Sequence, residues 1–185
     1  MGIRTHINRL FSSISYNIGK ILIDPGDEWE GFHGVETVFL THVHFDHIYG
    51  VNEVLKRNPD VQIFTNSSGR QMLLDSKLNL SYYHETPFSI SLPEKIVEIG
   101  DGEVVNTSSG LKAKAVYTSG HNPSCITWII DDYLFTGDSY IPGVKVVTNL
   151  PQGNKEQALK SIDLIKSLIG PQTIVCPGHY VESIL

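Results

Sequence analysis

Thr41-His42-Val43-His44-Phe45-Asp46-His47 follows the apolar run Val35-Glu36-Thr37-Val38-Phe39-Leu40, and these two stretches decide how the chain is read. Three imidazoles and a carboxylate fall within positions 42–47 of a chain that has 8 histidines in 185 residues. That mixture of N and O donors suits a borderline transition metal such as zinc. Val35 to Leu40 is short, β-branched and aromatic, bounded by Gly34 and a polar cluster, as expected of a buried strand. If the chain stays extended just past it, His42 and His44 share a face, because side chains two apart point the same way. Asp46 and His47 then open a helix running to about Lys56 or Arg57. This adjacent pair diverges in direction, which suits a second metal or a different coordination position. Loops between strand end and helix start are where α/β proteins usually place their chemistry.

Working outward, Thr118-Ser119-Gly120-His121, Phe135-Thr136-Gly137-Asp138-Ser139 and Cys176-Pro177-Gly178-His179 follow at wide spacings. Taken singly, His121 reads as a structural histidine and Asp138 as a turn carboxylate. Upstream stands Ile21-Leu22-Ile23-Asp24-Pro25-Gly26. Asp24 reads equally as a partner orienting a metal-bound imidazole and as the cap of a turn.

Taken together, His42-x-His44-x-Asp46-His47, His121, Asp138 and His179 resemble the signature of the metallo-β-lactamase superfamily, particularly its glyoxalase-II-like hydrolases. The resemblance runs from about residue 12 to 180. It implies an α/β four-layer αββα sandwich, with residues 1–185 forming one domain. It also implies that one metal takes His42, His44 and His121, a second takes Asp46, His47 and His179, and Asp138 bridges. Two divalent ions are then the expected cofactors, zinc foremost, with iron or manganese compatible. A metal lowers the pKa of bound water from 15.7 towards about 7, so a bridging hydroxide can attack without a strong side-chain base. The implied activity is hydrolysis of a small ester, thioester, lactone or phosphoester, with Asp46 and Asp138 as catalytic residues. The alternatives are an iron persulfide dioxygenase using a single metal and a non-catalytic binding protein. A binding module would not need all seven ligand positions.

Substrate choice is less legible. Glyoxalase II holds glutathione with a helical C-terminal segment, whereas six residues follow His179 here, so glutathione specificity is not expected. Lys145 is the one nearby cation able to play a comparable part. Lactonases sharing His-x-His-Phe-Asp-His place a catalytic Tyr three residues after the bridging Asp; Tyr140 comes two after Asp138.

A hydrophobic content of 41% in 185 residues supports one domain with a sizeable core. A net charge of −6 argues against a nucleic-acid partner, which needs a basic face. No apolar run approaches a membrane span and no secretory segment follows Met1, so a cytoplasmic location is expected. Cys125 and Cys176 suggest no disulfide framework, and Cys176 is expected in the core rather than at a metal.

Strands are expected over 12–18 and 20–23, joined at Gly19, and over 61–64, 95–99, 103–106, 111–117, 125–130, 133–135 and 173–176. Asp101-Gly102 and Asp131-Asp132 read as hairpin turns. Helices are expected over 67–75, capped by Asn66 or Ser67, and over 155–169, closed by Gly170-Pro171. Residues 76–93, with Tyr82, Tyr83, His84 and Phe88, have no clear period and form a candidate substrate-side loop, with His84 read as a surface residue. Trp29, Phe32 and His33 either line the pocket mouth or cover core.

Overall fold

The structure is a computed structural model that describes residues 2–84 and 86–181. Two sheets face each other. The first runs in the order β1 (Arg4–Ile7), β2 (Ile14–Ile18), β3 (Ile21–Ile23), β4 (Thr37–Phe39), β5 (Gln62–Thr65), β6 (Ile96–Glu98). The second has β7 (Val104–Asn106), β8 (Lys112–Tyr117), β9 (Ile126–Ile130), β10 (Tyr133–Gly137) and β11 (Ile174–Pro177) in simple succession. β3 to β6 pair in parallel, as do β10 and β11; the remaining pairs are antiparallel.

The period-two alternation of side chains sorts the core into two layers. Ile21 and Ile23 of β3, Phe39 of β4 and Phe64 of β5 point between the sheets, where they meet Ala113, Ala115, Trp128 and Phe135. Leu22, Val38 and Ile63, one position away, point outward against α2 (Val51–Arg57) and α3 (Ser67–Leu74) through Val54, Leu55, Met72 and Leu73. On the far side of the second sheet, α4 (Lys155–Leu168) buries Ala158, Ser161 and Ile165. Ser161 donates from Oγ to the Ser119 carbonyl at 2.6 Å. The result is the expected αββα sandwich.

Three local expectations need correction. The helix expected from Asp46 onward is two pieces, α1 (Phe45–Ile48) and α2, interrupted at Tyr49-Gly50. Gly50 donates to the Pro25 carbonyl at 2.7 Å, and a Cβ there would lie 2.4 Å from the Phe32 ring. Close approach of the 24–32 segment therefore breaks the helix. Asp101-Gly102 is not a hairpin turn: β6 and β7 belong to different sheets, so this bend is a crossover between layers. β1, unmarked in the sequence, pairs along the edge of β2. Asp131-Asp132 does join an antiparallel pair, with Asp131 at φ 50°. Asn66 caps α3, its side chain accepting from Gly69 N–H at 2.8 Å. Phe32 is core and Trp29 stacks on His6, so neither lies at the site described next.

Candidate metal centre

Asp24, His42, His121, Asp138 and His179 all follow the C-terminal ends of strands, namely β3, β4, β8, β10 and β11. These ends lie along one edge of the sandwich, so residues far apart in sequence converge there. The motif segment is pinned to the second sheet from three directions. Trp128 Nε1–H donates to the Leu40 carbonyl at 2.9 Å, Ile126 N–H to the Thr41 carbonyl at 2.7 Å, and Val43 N–H to Ser124 Oγ at 2.9 Å.

All seven residues expected at the site are brought together. His42, His44 and His121 offer ligand atoms lying within 4.8 Å of one another, as do Asp46, His47 and His179. Asp138 lies between the two groups. Its Oδ2 is 3.4 Å from His121 Nε2 and 3.2 Å from His179 Nε2, and its Oδ1 is 3.7 Å from His47 Nε2. Asp46 Oδ2 is 3.5 Å from His47 Nε2 and 3.4 Å from His179 Nε2. The histidines at 42, 44, 47 and 121 and Asp46 are buried, while Asp138 and His179 are half-buried and face the opening.

Each imidazole has one nitrogen tied from behind, which leaves the other aimed into the cluster. His47 Nδ1 donates to Asp24 Oδ2 at 3.1 Å, His121 Nδ1 to the Val147 carbonyl at 2.8 Å, and His179 Nδ1 to the Phe11 carbonyl at 2.8 Å. His42 Nδ1 lies 3.3 Å from Thr41 Oγ1, and His44 Nε2 lies 2.9 Å from the side-chain amide of Asn122. Such outer partners are what orient imidazoles for metals. Inside, His44 Nδ1 and His121 Nε2 face each other at 2.9 Å, and His47 Nε2 and His179 Nε2 at 3.3 Å. His42 Nε2 and Asp138 Oδ1 are buried with no hydrogen-bond partner. Buried polar atoms are rarely left so, unless an ion or water completes them. The donor set and the two orphaned atoms fit divalent metal ions.

The electrostatics agree. Burial, reinforced by His47, holds the His42 imidazole well below its usual pKa; burial and His121 push His44 down to about 3. Both are thus held neutral at physiological pH, the state in which an imidazole nitrogen can ligate a metal. Burial opposes charge on His47 too, but Asp46, Asp24 and Asp138 overcome it and raise that imidazole to about 10. Burial works against ionisation of Asp138, yet His179, His42 and His47 hold its carboxyl well below the usual range. Burial raises Asp46. Cys125 and Cys176 are buried thiols, each pushed by burial up to about 12, which agrees with a place in the core.

Sequence reasoning did not find Asn122, Thr41 or the carbonyls of Phe11 and Val147. Backbone carbonyls carry no sequence signal; Asn122, adjacent to His121, could have been found. Asp24, left open between two roles, has its carboxylate against His47 Nδ1 at 3.1 Å and also accepts from Thr41 N–H at 2.7 Å and Thr41 Oγ1–H at 2.5 Å, whereas the turn after it is closed by backbone, Gly26 N–H to the Asp24 carbonyl at 2.8 Å. Beside Asp138 and His179 opens a cavity of about 250 Å³ lined by Ile141, Val144, Lys145 and Val147.

The family model of the metallo-β-lactamase superfamily matches residues 16–179. A hydroxyacylglutathione hydrolase of Xylella fastidiosa (strain 9a5c) is 30% identical over 178 residues, covering 93% of this chain. The chain spans 59% of that relative's length. The B3 metallo-β-lactamase BLEG-1 superposes with a TM-score of 0.85 at 23% identity, over 97% of this chain and 92% of its own. A protein crystallised in a di-iron-bound form superposes with a TM-score of 0.81 at 21% identity, over 96% and 92% of the two chains. Sequence motif, fold and matched span agree, and the chain belongs to the metallo-β-lactamase superfamily.

Proposed function

We propose that this protein is a dinuclear metal-dependent hydrolase acting on a small ester, thioester, lactone or phosphoester. His42, His44 and His121 hold one divalent ion, Asp46, His47 and His179 the other, and Asp138 serves both. The observation that carries this reading is the pair of buried, unpartnered atoms, His42 Nε2 and Asp138 Oδ1, one in the first donor group and one between the two. Two such ions supply a hydroxide nucleophile at neutral pH and a Lewis acid for the carbonyl or phosphoryl oxygen. The protein orients them through the five tied imidazoles and keeps Asp138 ionised. Asp46, whose Oδ2 lies 3.4 Å from His179 Nε2 and 3.5 Å from His47 Nε2, accepts a proton at its other carboxylate oxygen. Lys145, the cation of the 250 Å³ cavity, meets an anionic group of the substrate. In an ester or thioester the acyl–O or acyl–S bond breaks, water supplies the new acyl–O bond, and alcohol or thiol leaves with the proton.

Zinc is the proposed metal; the di-iron form of the structural neighbour keeps iron in the comparison. We place the protein in the cytoplasm, acting on a small molecule as one catalytic domain. The test is a screen of thioester, lactone and phosphodiester substrates with protein loaded separately with zinc, iron and manganese. Turnover of one class, abolished in Asp138→Ala together with metal content, is the expected result. Sulfur oxygenation by a one-iron protein, with no hydrolysis, would replace this reading by the persulfide dioxygenase one.

A further inference from the structure

A second, larger cleft of about 480 Å³ opens beside the metal centre, walled by Phe11, Phe45, Tyr83, His84 and Leu150. We propose that it receives an uncharged apolar arm of the substrate, aliphatic or aromatic, so that the enzyme prefers acyl esters or thioesters with a long or bulky apolar side. The inference rests on the hydrolase reading above and names the substrate class for it.

The cleft is built onto the site. Phe45 stands between His44 and Asp46 in the chain, and its ring packs against His84 at 4.9 Å and against Phe11 at 5.8 Å. The Phe11 carbonyl is the group that ties His179, so the Phe11 backbone is part of the metal support while its side chain stays 63% exposed. Phe11 and Ser12 both have left-handed φ, 53° and 56°, an unfavourable conformation for side-chain-bearing residues. It is held by Ser13 Oγ–H donating to the Asp46 carbonyl at 2.8 Å and by Tyr180 N–H donating to the Ser12 carbonyl at 2.9 Å.

The opposite wall is equally fixed. Phe45 N–H donates to the Asn79 carbonyl at 3.1 Å, which ties the 76–93 loop to the metal motif. Asn79 Nδ2 donates to the carbonyls of Met72 and Phe88, and Phe88 N–H donates to Ser81 Oγ at 2.7 Å. The one-turn helix Ser81–Tyr83 thus presents Tyr83, 72% exposed, to the cleft, with Leu150 across from it. Preformed walls spare the ordering cost that a floppy loop would add to binding.

Chemistry selects the occupant. Among the described residues the cleft is lined by Phe11, Phe45, Leu80, Tyr83, His84, Leu150 and Pro151, with no Lys, Arg, Asp or Glu, so these walls favour an apolar arm over a charged one, whereas the smaller cavity carries Lys145. Exposed aromatic and aliphatic side chains grouped at the mouth of a reactive centre mark a binding surface rather than scattered surface residues.

Two series test this. First, kcat/KM of the metal-loaded protein is measured for esters of one alcohol with acetyl, butyryl, hexanoyl and octanoyl groups. Secondly, butanol to decanol are titrated into metal-free protein by calorimetry. Both should strengthen by about fourfold per methylene. Tyr83→Ala and Leu150→Ala should compress the octanoyl-to-acetyl ratio by about tenfold or more and flatten the alcohol series; Tyr83→Leu should restore much of both. A flat wild-type series, or an identical slope in wild type and variants, would overturn the proposal. So would a dimer broken by these same substitutions with no chain-length dependence, which would assign the cleft to a second copy of the chain. Graded alcohol binding without hydrolysis of any ester would instead overturn the hydrolase reading and leave the apolar site standing.

Discussion

Asp24 is held at φ 48° on the end of β3, where its carboxylate accepts from Thr41 and His47 at once. Replacing it by Ala leaves the Thr41 N–H and the His47 Nδ1–H buried without an acceptor, each costing about 1–3 kcal/mol. The imidazole also loses the partner that aims Nε2 at the cluster. Metal affinity should fall about 10- to 100-fold in Asp24→Ala, as read by competition with a chelating dye. An unchanged affinity would reduce Asp24 to a turn residue. Cys125→Ala and Cys176→Ala should keep full metal content by elemental analysis, since both thiols are buried and held protonated. Gly178 behaves differently. A Cβ there would lie 2.2 Å from Asp138 Oδ1, so Gly178→Ala should displace that carboxylate and lower metal content without touching a ligand.

At the scale of elements, the long parallel and antiparallel strands were legible because their apolar residues are dense and bounded by turn chemistry. The hairpin at Gly19 and the helix after Asn154 follow directly from those signals. What was missed has physical causes. β1 reads Arg4-Thr5-His6-Ile7 and lies along a sheet edge with its side chains largely exposed, so no burial imposed an apolar pattern. Asp101-Gly102 has the same turn chemistry whether the next strand returns to its own sheet or crosses to the other. α1 ends early because Gly50 packs on Phe32, a contact set by tertiary structure rather than helix propensity. The convergence of the seven candidate side chains was legible, because they differ chemically from their surroundings, and the carbonyls behind them were not. The seat of α4 offers a test at this scale. Gly120 has φ 138°, and a Cβ there would lie 2.2 Å from the Ala158 backbone nitrogen, so Gly120→Ala must push α4 off the second sheet. A loss of roughly 2–4 kcal/mol in urea unfolding is expected; Asn154→Ala, which removes only the cap accepting from Gln157 N–H, should cost about 1 kcal/mol.

For the whole molecule, the charge arrangement makes the metal-free protein sensitive to pH in both directions. His42 and His44 are held below the unfolded value of about 6.5, so in acid the unfolded chain binds more protons and stability falls as pH drops below that value. Asp138, held low, acts in the same sense nearer pH 4, with Asp46 opposing it. His47, raised to about 10, binds its proton in the folded state, so its contribution is complete below about 6.5 and is lost as pH rises through 10. Among these groups the balance places the stability maximum of the metal-free protein near neutrality. Loading with metal should remove the alkaline loss, because a ligated His47 no longer carries that proton; thermal unfolding across pH 5 to 10, with and without metal, reads this directly. The central claim is that seven side chains at one edge of the sandwich form two adjoining metal sites. Anomalous diffraction from crystals of metal-replete protein tests it most directly. Two peaks are predicted, one among His42, His44 and His121 and one among Asp46, His47 and His179, with Asp138 touching both; a single peak, or none, would contradict the account.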